Sequence, residues 1–196
     1  MNRQSVFALR RVGIAAGVVA AAALGGGVAA GATTVSDSAN AAKATAAVAT
    51  CATSQLQVWY GQPASGTAGS VYFPLEFSNT GTTTCALDGY PGVSGVGAGG
   101  VQLGSSASWN PVIAPSNVVL TPGSTAHVIL RVTDVGNYPA STCEPTQAIG
   151  LRIYPPNQTA SVVVQYTFEA CAKAGDNYLA VDAVNAGVGI PFYTSS

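Results

Sequence analysis

The chain has 196 residues, 8% of them charged, with 23 glycines, 11 prolines, four cysteines and a formal net charge of −1. Beyond residue 41 the basic residues are Lys43, Arg131, Arg152 and Lys173, which stand against seven acidic ones and leave a net charge of −3. So few and scattered cations exclude the electrostatic footprint of a nucleic-acid binder and argue against an anionic membrane surface as partner.

The N-terminus has the order of a secretory signal. Arg3, Arg10 and Arg11 precede an uncharged Ala/Gly/Val stretch, Val12 to Ala30, and small residues follow it. Of two candidate cleavage sites, Ala30-Gly31-Ala32 and Ala39-Asn40-Ala41, we favour the second, which assigns residues 1–41 to a signal peptide. Left uncut, the 19-residue stretch would act as a membrane anchor, although Ala and Gly are weakly hydrophobic. Arg10-Arg11 leaves the twin-arginine route open beside the general secretory one. Cys51 follows Thr50 and lies well past the apolar stretch, a poor setting for a lipidated cysteine. Residues 42–50, an Ala/Thr run, read as a disordered leader. A single domain is expected over 51–196.

From Cys51 onward apolar residues alternate, the signature of strands with one buried face. Leu56, Val58 and Tyr60 alternate with Gln57 and Trp59; Val71, Phe73, Leu75 and Phe77 alternate with Tyr72, Pro74 and Glu76. Ala126, Val128, Leu130 and Val132 face away from His127, Ile129 and Arg131. Further strands are expected near Val101–Leu103, Val118–Leu120, Ile149–Tyr154, Ser161–Phe168 and Leu179–Val184. Turn signals separate them, including Asn79-Thr80-Gly81, Gly89-Tyr90-Pro91-Gly92 and Pro155-Pro156-Asn157. No long segment has a helical period. Seven to nine short strands at this spacing indicate an all-β, immunoglobulin-like antiparallel β-sandwich, with a jelly roll as the alternative.

Four cysteines allow three pairings. We expect Cys51 with Cys85 and Cys143 with Cys171, each joining neighbours along the chain. With no Cys-x-x-Cys and one histidine, neither a metal site nor a redox role is expected, and no cofactor is implied.

Several patterns suggest chemistry and are set aside. Gly95-Val96-Gly97-Ala98-Gly99-Gly100 fits a dinucleotide-binding pattern, but no helix follows, so a flexible turn accounts for it. His127 sits within an alternating strand and reads as a solvated or partly covered residue. Asp176, Asn177 and Asp182 lack the spacing of a Ca²⁺ loop and read as turn residues. Asn157-Gln158-Thr159 matches a glycosylation sequon that we expect to be unused. If Cys143 pairs with Cys171, Glu144 and Glu169 flank one bridge, as two carboxylates of a glycoside hydrolase might be arranged. With no sign of a deep cleft and few polar groups to tune them, two solvated acids at strand ends are the better account.

Aromatics on polar positions are the remaining hint. Trp59 falls on the polar side of its strand and Trp109 lies in the loop Ser105 to Pro111. Such rings stack on sugars or anchor protein interfaces, though edge packing is the plainer account. With Tyr90 they are the candidate binding residues.

Phe77-Ser78-Asn79-Thr80-Gly81, then Cys85-Ala86-Leu87-Asp88-Gly89-Tyr90-Pro91-Gly92-Val93, carries a resemblance. Leu120-Thr121-Pro122-Gly123 and Cys143-Glu144-Pro145 followed by Leu151-Arg152-Ile153-Tyr154-Pro155-Pro156 extend it. Together these motifs resemble an actinobacterial secreted family, the domain of unknown function 4232, over about Cys51 to Val184. The resemblance implies a β-sandwich on exported or envelope-attached proteins, and no catalytic residues. Physically the signature reads as scaffold, with Asn79 and Gly81 in a turn and Tyr90 capping the core.

The expected function is a secreted or cell-envelope module, non-enzymatic, that binds an envelope component or another exported protein. Membrane contact is expected only if the N-terminal segment stays uncut. The rival is a small extracellular glycan hydrolase using Glu144 and Glu169.

Overall fold

A computed structural model describes residues 47–61, 65–67 and 69–189, all within one compact unit, Thr45–Ser196. The expected signal segment and most of the leader lie outside the described residues. Among those described, no helix is long and apolar enough to cross a membrane.

Short strands dominate: β1 (Leu56–Tyr60), β2 (Ser65–Thr67), β3 (Ser70–Asn79), β4 (Cys85–Leu87), β5 (Gly92–Val96), β6 (Gln102–Leu103) and β7 (Ser108–Trp109). Then follow β8 (Val118–Leu120), β9 (Thr125–Thr133), a single helical turn α1 (Ala140–Cys143), β10 (Pro145–Tyr154), β11 (Val162–Cys171), β12 (Leu179–Val181) and β13 (Asn185–Ala186). They form an all-β sandwich of antiparallel sheets. The larger sheet runs β1-β3-β9-β12-β7, with β2 added to β3 and β13 to β9; the second runs β11-β10-β5-β6, and β4 pairs with β8. Within the larger sheet, β7 joins β12 in parallel.

The period-2 pattern places the core. Phe73, Leu75 and Phe77 of β3, with Val128 and Leu130 of β9, face Leu151 and Ile153 of β10 and Val93 of β5, all buried. Burying each such side chain contributes about 1.5–3 kcal/mol. Every second residue of β11 (Val162, Val164, Tyr166 and Phe168) packs half-buried against that core. A bulge between Ala148 and Gly150 turns Ile149 outward.

Pro74 sits inside β3, where a missing N–H would break a ladder. The Gly61 N–H donates to the Pro74 carbonyl, so this edge of Pro74 faces β1 and β2. It falls in the gap between the end of β1 and the start of β2, where no strand requires its donor.

Both disulfides pair as expected, Cys51 with Cys85 and Cys143 with Cys171, across separations of 34 and 28 residues. The first ties the chain's entry to β4, and the second ties the end of α1 to the end of β11. Asn79 accounts for its place in the signature. Its amide donates to the carbonyls of Thr83 (2.9 Å) and Leu120 (3.0 Å), and its oxygen accepts from the Gly81 N–H (3.0 Å).

The structure departs from several expectations. Order begins before Cys51, because Thr50 bridges Ala86 in parallel and the Ala86 N–H donates to the Ala49 carbonyl. Strands β2, β4, β5, β7 and β13 were not foreseen: β4 and β5 are buried on both faces and show no alternation, and β2, β7 and β13 have only two or three residues. Gly95 and Val96 belong to β5 instead of a flexible turn. A Cβ on Gly95 would lie 2.6 Å from the Tyr178 hydroxyl, so the glycine makes room for the buried ring of Tyr178, which donates to the Leu103 carbonyl at 2.8 Å. Tyr178 is fully buried in the core, whereas Tyr90, expected to cap it, is half-buried.

Candidate functional site

Two features of the larger sheet stand apart from scaffold. The first is its β7 edge. The parallel register sets Trp109 beside Val181 at the last strand of the sheet. The indole is 66% exposed and stacks on Tyr90, with ring centroids 5.0 Å apart and planes 9° from parallel. Tyr90 is half-buried and its hydroxyl reaches toward the Ile113 carbonyl at 3.4 Å. The Gly89–Gly92 turn thus props Trp109 instead of capping the core, and edge packing does not bury the indole.

Trp59 is elsewhere. It lies on β1 at the opposite end of the strand order, 38% exposed, with its indole N–H donating to the Ser78 hydroxyl at 3.2 Å. Three strands separate β1 from β7, so the two tryptophans are about 20 Å apart in the sheet plane and form no common site.

The second feature is the outer face of the same sheet, which alternation alone assigns to solvent. Glu76 stands opposite His127, Pro74 opposite Ile129 and Tyr72 opposite Arg131 across β3 and β9. Glu76 is 1% exposed. Its cover includes the segment after β13: the Gly189 N–H donates to Glu76 Oε1 at 2.8 Å, and the His127 ring nitrogen Nδ1 bonds the Gly187 carbonyl at 2.9 Å. A side chain at Gly189 would collide with Pro74. Burial pushes the Glu76 carboxyl above its ordinary value, against the pull of the Gly189 N–H and the His127 charge.

Beside it lies a cavity of about 400 Å³ lined by Tyr72, Asn110, Ile113, Ile129, Arg131 and Asp182, with Val112 and Ala180. Asp182, buried at 7% exposure, is held by its N–H to the Ile129 carbonyl and by the Asn110 amide, which donates to its Oδ1 at 2.7 Å. Burial raises its carboxyl too, opposed by that hydrogen bond and by the charges of Arg131 and His127. Arg131 is half-buried, and its Nε is shut off from water without a hydrogen-bond partner. The single ion pair found among the described residues joins Lys173 to Glu144, so Arg131 has none there.

Sequence reading missed this face. Its members come from four separated segments, and each looks like the solvated side of a strand. One signal was legible: Ile129, an apolar residue among the polar positions of β9. Asp182 is therefore not a turn residue, whereas Asp176 accepts from the Thr142 hydroxyl and the Asn177 carbonyl from the Tyr138 hydroxyl, both in connecting segments.

Neither Glu144 nor Glu169 lines that cavity. Glu144 is about half-exposed and pairs with Lys173 at 2.7 Å; Glu169 is exposed and borders a shallower depression with Ser70, Thr133 and Asp134. The sulfurs of Cys143 and Cys171 lie close to the Asp176 carboxylate, but the disulfide consumes them as ligands.

The comparison with protein families decides the chain's kinship: the family described as "Domain of unknown function (DUF4232)" matches residues 51–185. The chain belongs to this family. The DUF4232 match runs from the first cysteine to β13 and takes in both disulfides, Trp109, the cavity and its buried carboxylates. A search of curated proteins finds no match.

Proposed function

We propose that this DUF4232 domain is an exported, non-enzymatic module that binds an envelope component or another exported protein through its β7 edge. One observation carries this reading: Trp109 is two-thirds exposed yet held flat on Tyr90. An exposed indole forgoes the stability that burial would give, and a rigid one offers a large contact area at little entropic cost. Two disulfides suit an oxidising compartment outside the cytoplasm. The arginines and apolar stretch before residue 31 supply the means of export, and the resemblance to actinobacterial secreted proteins agrees with it. Glu144 is engaged in an ion pair with Lys173, and Glu169 borders a depression that Glu144 does not line, so no observation favours hydrolysis by this pair.

The test is co-sedimentation of the oxidised protein, beginning at Ala42, with washed wall and membrane fractions of the producing organism. Saturable pelleting that weakens on Trp109→Ala, with the fold kept and melting lowered only by the loss of the Tyr90 stack, is the expected result. Pelleting equal for wild type and variant would remove the β7 edge from consideration. Protein that stays in the supernatant would count against an envelope ligand and turn the search to exported proteins.

A further inference from the structure

The cavity is lined by Ala180 and Asp182, which flank the core-facing Val181 that Trp109 is in register with, and it poses a separate question. Arg131 and Asp182 both line it. Arg131 is in register with Ala180, two residues from Asp182, a diagonal that sets backbone positions about 7–8 Å apart. The two side chains nonetheless form no ion pair. A half-buried arginine with no ion pair among the described residues loses hydration without a compensating charge, and a buried carboxylate held on one oxygen by Asn110 does so in part. Opposite charges that face one cavity without touching are arranged for something placed between them.

We propose that this cavity binds a small zwitterion with an apolar body, a free apolar amino acid or a short apolar peptide. Arg131 takes the ligand carboxylate, for which its planar fork is matched. Asp182 takes the ligand ammonium while Asn110 fixes its orientation. Ile113, Ile129, Val112 and Ala180 cover the apolar body, and a volume of about 400 Å³ lies at the smaller end of small-molecule sites. Cation, anion and apolar wall thus each have a counterpart on one ligand.

Calorimetry on the oxidised protein with L-leucine and dileucine, and with N-acetyl-leucine and leucinamide, tests the assignment. Saturable binding of leucine or dileucine is expected, and the stronger of the two identifies the source. Blocking either end should weaken binding about tenfold or more, the worth of one charge-assisted hydrogen bond. Arg131→Gln should weaken leucine by a similar factor and leave leucinamide unchanged. Should Arg131→Gln fail to fold, Val112→Trp at an exposed rim position should fill the cavity and abolish binding. No saturable heat at about 10 mM of either zwitterion, equal binding of the blocked analogues, or full binding by Val112→Trp would each overturn the proposal. Pelleting with envelope fractions reads a different surface, so the two readings fail independently.

Discussion

Tyr90 lies flat beneath Trp109, 5.0 Å away and 9° from parallel, and the pair couples the turn before β5 to the edge strand β7. Such a stack is worth about 0.5–1.5 kcal/mol beyond the area it buries. Tyr90→Ala should lower the unfolding free energy from urea titration by at least that amount and erase the near-UV circular dichroism of the pair. A variant with the wild-type near-UV spectrum would show that the stack does not form in solution.

Asn79 makes three hydrogen bonds from a buried position. At about 1 kcal/mol for each bond lost, Asn79→Ala should cost about 3 kcal/mol. Asn79→Asp keeps the shape and one acceptor but presents oxygen to the Thr83 and Leu120 carbonyls, and it should fare no better. Urea unfolding decides this; a loss under about 0.5 kcal/mol would mean that water replaces the network.

Gly95→Ala places a methyl against the Tyr178 hydroxyl. Overpacking of this kind costs about 1–3 kcal/mol, and Tyr178→Phe should relieve part of it by removing the oxygen. The double-mutant cycle should therefore show a favourable coupling, and strict additivity would place the strain elsewhere. In the wild type, burial pushes the Tyr178 phenol up to about 12, so absorbance titration should find one tyrosine that resists ionisation until the fold is near its alkaline limit.

Glu76 and Asp182 both have folded-state carboxyls raised above their ordinary values of 4.5 and 3.8. The sign follows from proton binding. The folded form holds these protons more tightly than the unfolded form, so stability falls as pH rises from the ordinary values through the raised ones, and is level above them. Glu76→Gln keeps an acceptor for the Gly189 N–H and removes the charge. It should flatten part of the decline and equal or exceed wild-type stability at about pH 7. Urea midpoints compared across that range test it, and an unaltered pH slope in the variant would count against Glu76 as its source.

Much of the scaffold was legible in the chain, because burial on one face of an extended strand leaves a period of two. That period located β1, β3, β8 and β9 closely, and the cysteine order located both bridges. It understated β10 and β11, whose first and last residues respectively lie next to the Cys143–Cys171 bridge, where alternation gives way to tethering. It misread the outer face of β3 at Glu76, since a polar residue is polar whether it meets water or a covering segment, whereas His127 is partly covered as expected. The strand pattern records which face is apolar; it does not record what a later stretch of chain lays over the other face. Trp109 was named as a candidate from its loop position, but the edge-packing account given for it fails, because a residue 19 positions earlier props it outward.

The Cys51–Cys85 bridge has a mechanical consequence. Cys51 directly follows Thr50, where the segment from the N-terminus is joined to Ala86 by a bridge of weak bonds. Tension drawn from that side breaks those bonds first and then meets a covalent link into β4, so the load divides between two stretches of backbone before it reaches β1. An edge strand that could otherwise be peeled one residue at a time is thereby shielded. A domain tethered by its N-terminal side would hold its shape under pull for as long as that one bridge stays oxidised.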